Sequence, residues 1–209
     1  MRLSLFLTSG DEAPLLLETA RQAERRGLAA LWLPERSPGG LFPNPAVAAA
    51  AVAVATRRIG VRAGGLALPL HNPIRVAEEW ALVDNLSGGR VGIAFSSADG
   101  DHAGIETVRR LWRGEAVRVP DGEGRPIEVR ILPQPVQPEL PLWRIVTEPD
   151  AAGGEGPVAG TVPAFASVEE GLLAVRLWKE AGVNEIACRV SLSDALDALD
   201  VLGEVHHGG

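Results

Sequence analysis

The sequence is poor in the residue types that mark several classes of protein. Cys188 is its only cysteine, so it can form neither an internal disulfide bond nor a zinc site built on cysteines. Positive charge is in deficit, with 20 Lys and Arg residues against 27 Asp and Glu residues and a formal net charge of −7. Nucleic acids and anionic membranes bind basic surfaces, so neither is expected as a partner.

Long apolar runs are lacking as well. No run reaches about 18 residues, the length that predicts a membrane-spanning helix. The start MRLSLFLTSGDE has neither the length nor the cleavage site of a secretory signal. We therefore expect a cytoplasmic protein without a membrane partner.

The apolar residues that are present suffice for one core. The chain has 209 residues, of which 46% are hydrophobic and 22% charged, as in ordinary globular domains. We predict a single domain over residues 1–202, followed by a disordered tail over residues 203–209.

The clearest folding unit is a strand, a helix and a second strand between Ile59 and Phe95. An apolar strand over 59–68 is followed by Asn72 as an N-cap, with a proline at the first helical position. Residues 74–86 have the apolar spacing of a half-buried helix, and the short apolar run 91–95 is typical of a parallel strand. This unit predicts the α/β class with right-handed crossovers.

The remaining elements follow the same pattern before and after this unit. Strands are predicted over 2–7, 28–33, 142–147, 161–165 and 185–190, helices over 14–26, 45–56, 103–113, 168–181 and 192–202, and a hairpin over 115–132. We count roughly six barrel-type strands plus the hairpin, fewer than a complete (β/α)8 barrel has. The predicted architecture is therefore a shortened or incomplete (β/α) TIM-like barrel with a β-hairpin insertion.

The helix over 45–56 is apolar on every side, PAVAAAAVAVAT. A helix exposed on one side should carry a polar stripe, so this helix is predicted to be covered twice. We expect a subunit interface on its outer face. The alternative is burial under later segments of the same chain.

Several stretches resemble the luciferase-like flavin-dependent monooxygenases, most closely the branch found with natural-product assembly lines. The matching stretches are LWLPER (31–36), GGLFPNPAVAAA (39–50), the run 62–97, the run 104–143 and AGVNEIACRV (181–190). The resemblance implies a (β/α)8 barrel that dimerises through its second and third helices, here 45–56 and 74–86. It also implies the use of O2 and of reduced FMN from a separate reductase.

The sequence departs from this family at three places. Ser37 stands where the branch normally has a histidine, and serine cannot act as an acid or base near neutral pH. The segment 94–103 is shorter than its family counterpart. The region after Trp143, where much of the family's phosphate site lies, shrinks to the Gly- and Ala-rich segment 148–160.

The resemblance marks four cofactor-binding candidates. Gly64 and Gly65 end the third strand, where the family backbone lies against the isoalloxazine ring, although tight strand packing would also explain two glycines. Ser96 and Ser97 end the fourth strand and could hydrogen-bond a flavin or a substrate, although serines at such a junction often only form a turn.

The other polar residues are candidates for catalytic or structural roles. His102 lies beside Asp99 and Asp101, and these three are the catalytic candidates of a remodelled pocket; their spacing predicts no metal site. For the others we predict structural roles: a Glu35–Arg36 ion pair at the barrel rim, a turn shaped by His71, and an Asp84–Arg90 ion pair across a turn.

The resemblance favours an enzyme that oxidises an intermediate of natural-product biosynthesis, which could be carrier-bound, with reduced FMN and O2. A second hypothesis is a degenerate, non-oxidative protein that binds another ligand or pairs with a full-length relative as an accessory dimer subunit. A third is a cofactor-free enzyme that uses His102, Asp99 and Asp101 as acid–base groups.

Overall fold

The computed structural model describes residues 1–9, 13–35, 44–96 and 102–208. Within these ranges the strands are β1 (Arg2–Ser9), β2 (Ala30–Pro34), β3 (Gly60–Leu66), β4 (Val91–Phe95), β5 (Val117–Pro120), β6 (Pro126–Val129), β7 (Arg144–Val146), β8 (Val158–Pro163) and β9 (Glu185–Ser191). The helices are α1 (Ala13–Arg25), α2 (Pro45–Ala55), α3 (Pro73–Ser87), α4 (His102–Trp112), α5 (Val168–Glu180) and α6 (Ala195–Gly208).

Seven of the strands form one parallel sheet that nearly closes into a barrel. Their order is β4-β3-β2-β1-β9-β8-β7, while β5 and β6 form a separate antiparallel hairpin. The two edges meet at Ile93 of β4, whose N–H donates to Pro141 O at 2.9 Å and whose carbonyl accepts from Trp143 N at 2.8 Å. The predicted shortened TIM-like barrel with a hairpin insertion is confirmed, with seven barrel strands instead of about six.

Local sequence signals set the helix ends. Asn44 and Asn72 cap α2 and α3 through their side-chain oxygens, and a proline occupies the first turn of each helix. Gly88 ends α3 with φ +67°, a conformation that only glycine adopts readily. Ser167 caps α5 by accepting from Glu170 N at 3.2 Å. Of these caps, the one at Asn72 is among the features that the sequence analysis predicted.

Three details differ from the sequence prediction after residue 147. A 3-10 turn forms over Pro149–Ala152 in the segment predicted to be loose, and β8 begins at Val158, three residues earlier than expected. The predicted disordered tail is wrong for residues 203–208, since α6 continues to Gly208. Val205, in the last turns of α6, is only 1% exposed. A Cβ on Gly171 of α5 would lie 2.5 Å from Val205 Cγ2, so close packing against α5 holds the end of α6 in place.

The predicted ion pair between Asp84 and Arg90 does not form. Arg90 instead donates to the carbonyls of Ala53, Thr56 and Ile59 at 2.5–3.1 Å, which fixes the end of α2 to the start of β3. Carbonyls at a helix C-terminus lack partners within the helix, and a guanidinium satisfies several of them at once.

Asp84 has a different role. Fully buried on α3, its carboxylate accepts from Val136 N at 2.8 Å, from Gln137 N at 2.9 Å and from Gln137 Nε2 at 2.7 Å. These bonds hold the Pro-rich segment 133–141 against α3 and so bring Leu142 to the edge of β4.

The described residues leave the outer face of α2 uncovered. Val47 and Val54 are 67% and 66% exposed, and Leu82 and Leu86 of α3 are also exposed. The alternative of burial under later segments is therefore wrong for this face. None of the described helices is long and apolar enough to cross a membrane.

Candidate functional site

The lower part of the barrel interior is filled by an ion pair between large rings. Glu185, at the start of β9 and fully buried, accepts from Trp32 Nε1 at 2.8 Å and from Arg62 Nη2 at 2.9 Å. The Arg62 guanidinium carbon lies 3.7 Å from the ring centre of Trp143, which meets Trp32 edge-on at 5.6 Å. This packing leaves no room for a ligand at the level of these residues.

The charge of Arg62 survives its burial. Burial lowers the pKa of Arg62 to about 10, while the Glu185 carboxylate beside it acts to raise that pKa. Arg62 therefore stays protonated at neutral pH, and the pair holds β3 and β9 together across the barrel.

Phe6 closes the next layer towards the carboxyl edge of the sheet. A Cβ on Gly64 would lie 2.8 Å from Phe6 Cε2, so this glycine gives the ring its space. Close packing against Phe6 thus gives Gly64 a structural role, and its role in cofactor binding stays a prediction. Gly65 is different: it has φ +85° and lies where the pairing of β3 with β4 shifts register. A Cβ there would meet no atom of the described residues within 4 Å, its chain neighbours aside.

The second pair of cofactor-binding candidates lies on the neighbouring strand. Ser96 is half-buried directly after β4, and its N–H donates to Leu66 O at 2.9 Å. This bond places Ser96 close to Gly65 on the same edge of the sheet. Ser97 lies outside the described residues.

The catalytic candidates of the cofactor-free hypothesis are not assembled in the described part of the chain. His102 is the exposed first residue of α4, and Asp99 and Asp101 lie outside the described residues. Among the described residues, no group of three or more His, Cys, Asp or Glu side chains is placed to hold a metal ion.

The structure shows one contact that the sequence prediction missed. Glu35, only 5% exposed at the end of β2, was predicted to pair with Arg36, which lies outside the described residues. Instead, Glu35 Oε1 contacts His71 Nε2, and Oε2 accepts from Ala67 N at 2.7 Å. The available signal was that both residues follow parallel strands, whose carboxyl ends meet at one edge.

Described residues line two cavities at this edge. One, of about 240 Å³, lies beside His71 between the first turns of α2 and α3. The other, of about 560 Å³, lies between the ends of β1 and β9 and is lined by Thr8, Arg189 and Ser191.

Arg189 was not among the sequence candidates. Glu185 and Ala187 belong to the barrel interior, and the alternation of a strand puts Arg189 on the same side, level with Phe6 of β1. Among the described residues it has no ion-pair or hydrogen-bond partner, although Asp194 and Asp197 line the same cavity. It is a cation available to a ligand at the barrel mouth.

A nearly closed parallel barrel with its openings at the carboxyl edge defines a class of α/β barrel in which ligands bind at that edge. The sequence profile of the luciferase-like monooxygenases matches residues 2–103, which span β1 to β4 and their connections. This match covers just under half of the chain, and together with the relatives below it supports the family that the sequence resemblance implied.

Individual relatives match parts of the chain. Limonene 1,2-monooxygenase of Rhodococcus erythropolis is 39% identical over 77 residues, which cover 36% of this chain and 20% of that protein. The oxygenase component of flavin-dependent trigonelline monooxygenase from Acinetobacter baylyi is 26% identical over 158 residues, covering 65% and 44%. The chain thus spans less than half the length of these two relatives.

The fold extends beyond the part with clear sequence similarity. The structure of MsnO8 in its apo form is similar with a TM-score of 0.72 over 99% of this chain and 98% of that chain, at 16% identity. At this identity the likeness speaks for the fold alone.

Proposed function

We propose that this chain binds FMN at the carboxyl edge of its barrel and acts in flavin-dependent monooxygenation. The observation that carries the proposal is the contrast between the filled interior and the open edge. Trp32, Arg62 and Glu185 fill the lower barrel, whereas Gly65 and Ser96 leave the end of β3 and β4 accessible. Similarity to the luciferase-like family and to a flavin-dependent oxygenase component supports flavin as the ligand.

The residues present fit the two ends of such a cofactor. The open backbone at Gly65 and the neighbouring Ser96 would receive the flat ring system. Arg189, with the hydroxyl of Thr8 beside it, would neutralise and hydrogen-bond the phosphate, whereas the Ser191 hydroxyl already donates to Asp194 Oδ2. A cavity of about 560 Å³ is of the size that small-molecule sites have. Asp194 and Asp197 reduce the positive potential there, so Arg189 is essential to this arrangement.

Reduced FMN supplies the two electrons with which one atom of O2 enters the substrate and the other becomes water. The chain's own part is to bind and orient the reactants and to exclude water. The ring layer of Phe6, Trp32 and Trp143 seals the site from below.

The family resemblance adds expectations about the substrate, the source of reduced flavin and the oligomeric state to this proposal. The substrate is an intermediate of natural-product biosynthesis, which could be carrier-bound, and a separate reductase supplies the reduced flavin. The exposed apolar faces of α2 and α3, with Val54 and Leu82 as examples, support a homodimer through these two helices.

A second function is supported by the same apolar faces. A dimer subunit without oxidative activity would keep α2 and α3 while losing the family's phosphate region, which here is reduced to the segment 148–160 with one 3-10 turn. The cofactor-free alternative has no such support, because His102 is exposed and its two aspartates lie outside the described residues.

Titration of the purified protein with FMN decides between oxidative and non-oxidative function. The titration is done with oxidised flavin and again, without oxygen, with reduced flavin. We expect saturable binding of one reduced FMN per chain. Failure of both forms to bind at high flavin concentration would leave the accessory subunit as the better explanation, and a search for a full-length partner would follow.

A further inference from the structure

The Glu35 carboxylate is buried. Among the described residues, no lysine or arginine side chain forms an ion pair with it. A buried carboxylate is unstable unless hydrogen bonds satisfy it. One oxygen accepts from Ala67 N at 2.7 Å, and the other contacts His71 Nε2. His71 is therefore the group that completes the environment of this carboxylate.

The contact bears on which ring nitrogen of His71 carries a proton. An ionised carboxylate only accepts hydrogen bonds, so opposite an ionised Glu35 the Nε2 atom carries a proton, and in the neutral ring Nδ1 then holds the lone pair. Among the described residues, Nδ1 has no hydrogen-bond partner. A base that is oriented by a buried carboxylate and has its other nitrogen free is the arrangement that enzymes use for proton transfer.

A place for a reaction partner lies next to the ring. His71 lines the cavity of about 240 Å³, whose walls include Leu66 and Trp80. The charged groups that face the ring are Glu35 from β2, and Arg75 and Glu79 from α3, with Arg75 paired to Glu78 at 2.9 Å. The surroundings combine apolar walls with a small number of polar groups, as ligand sites do.

We propose that His71 is the proton-transferring residue of this site and that Glu35 is its positioning residue. Nδ1 takes the proton of a hydroxyl or N–H group on an organic ligand in the cavity, and the electron pair of the broken bond stays on the ligand. Glu35 stabilises the resulting imidazolium through Nε2–H, and the reverse transfer returns the proton. This proposal rests on the proposed function, and it supplies an acid–base group to a chain in which Ser37 stands where the resembled branch normally has a histidine.

Two conservative variants separate this role from a purely structural tie between β2 and the turn before α3. Glu35→Gln keeps an oxygen that can accept from Ala67 N, but its amide no longer requires a proton on Nε2. His71→Gln keeps a donor towards Glu35 but cannot accept a proton. His207→Gln on α6, whose described side-chain contacts are with Gly203 O and with the ring of His206 in its own helix, is the matched control.

The first measurement needs no flavin. The chain has four histidines, so ¹⁵N NMR of the rings, together with mass spectrometry after acylation by diethyl pyrocarbonate, resolves each one. We expect His71 to hold its proton on Nε2, to be acylated in the folded protein, and to lose the single tautomer in Glu35→Gln while that variant keeps its circular dichroism spectrum. A mixed tautomer or an unreactive His71 in the wild-type protein overturns the proposal.

The second measurement uses bound reduced FMN, whose reoxidation by O2 is followed between about pH 5 and pH 8, where imidazoles gain and lose protons. We expect His71→Gln to be slower by about 100-fold and to lose the pH dependence of the wild-type protein. Glu35→Gln should lie between the two, and His207→Gln should match the wild type. If the His71→Gln protein folds, binds flavin and keeps the wild-type pH profile, the role of His71 is contradicted but the proposed function stands. If the wild-type protein fails to bind FMN, the proposed function itself is contradicted.

Discussion

The two halves of the barrel are built differently. From β1 to β4 every pair of consecutive strands is joined by a helix of 11 to 15 residues. In the second half, β7 and β8 are joined by a segment whose only regular structure is the 3-10 turn over Pro149–Ala152. The family profile likewise ends at residue 103, close to the end of the first half.

The comparison teaches that helices are not what closes this barrel. The halves are joined by contacts across the sheet: Glu185 with Arg62 and Trp32 inside the barrel, and Asp84 with the segment that leads to Leu142 outside it. Breaking each of these contacts tests how far the second half depends on the first.

The largest effect is expected for Glu185→Ala. This change leaves the buried Arg62 charge unpaired and should lower the free energy of unfolding by about 3–5 kcal/mol. Urea unfolding followed by tryptophan fluorescence measures it. Glu128→Ala, which breaks an exposed ion pair with Arg118 in the hairpin, is the control and should change little. Equal stability of the two variants would show that the interior ion pair does not hold the halves together.

Asp84→Ala should come next, with a loss of about 3 kcal/mol, because three donors of residues 136 and 137 lose a buried acceptor. Hydrogen exchange read by mass spectrometry should show the loss concentrated in residues 133–147. Protection that falls evenly over the whole chain would mean that Asp84 does not act through the closing edge.

Homodimer formation should depend on the first half of the barrel and not on the second. The double change Ala50→Glu and Val54→Glu puts charge on the outer face of α2 and should weaken a homodimer by at least about 100-fold, since buried unpaired charges are costly. Light scattering after size exclusion measures the mass. Leu177→Glu on α5, where the leucine is 55% exposed, is the second-half control and should leave the dimer intact. A folded double variant that stays at dimer size would contradict the proposed interface.

The contribution of the second half to the ligand site is tested by Arg189→Gln. Loss of one charge-assisted contact to the phosphate should weaken FMN binding by about tenfold, or about 1.4 kcal/mol. Arg176→Gln removes the same charge from the exposed surface of α5 and should bind FMN as the wild type does. Unchanged affinity in Arg189→Gln would place the phosphate elsewhere on the edge.

The smallest expected effect is the pH-dependent contribution of Glu24, in the first half of the barrel, to the free energy of unfolding. Burial raises the pKa of Glu24, but bonds from the backbone N–H groups of Arg58, Ile59 and Arg57 outweigh this, so the pKa lies below its ordinary value of 4.5. The stabilisation is therefore present above that value and is lost as the pH falls through the lower, folded-state pKa. Glu24→Gln should cost about 1 kcal/mol or less at pH 7, because solvent screens the site, and this cost should shrink as the pH falls through the folded-state pKa. A difference that persists in acid would show that charge is not its cause.

Much of the fold could be predicted from the sequence because its signals are local. Asn44 and Asn72 with their following prolines, Gly88, and the apolar period of α3 each act within one or two turns. The tail was mispredicted because Gly203 and His206 are poor indicators of a helix when read alone, whereas Val205 is held by packing against α5.

The candidate site was predictable only in part. The family resemblance pointed to Gly64, Gly65 and Ser96 as a group, but only packing shows that Gly64 accommodates Phe6 whereas Gly65 is open. Ion pairs were assigned to sequence neighbours, Glu35 with Arg36 and Asp84 with Arg90. The structure pairs the buried carboxylates with groups that lie 32 to 53 positions away in the chain.

The sequence by itself determined the α/β class, the bounds of most helices and strands, and the similarity to the luciferase-like family. Each of these depends on local propensity or on residue order. Tertiary structure alone decided that seven strands close at Ile93 and Leu142, that Glu185 binds Arg62, and that Glu35 holds His71. The physical reason is that a buried charge takes whichever partner the fold brings within hydrogen-bonding distance, and sequence separation places no limit on that choice.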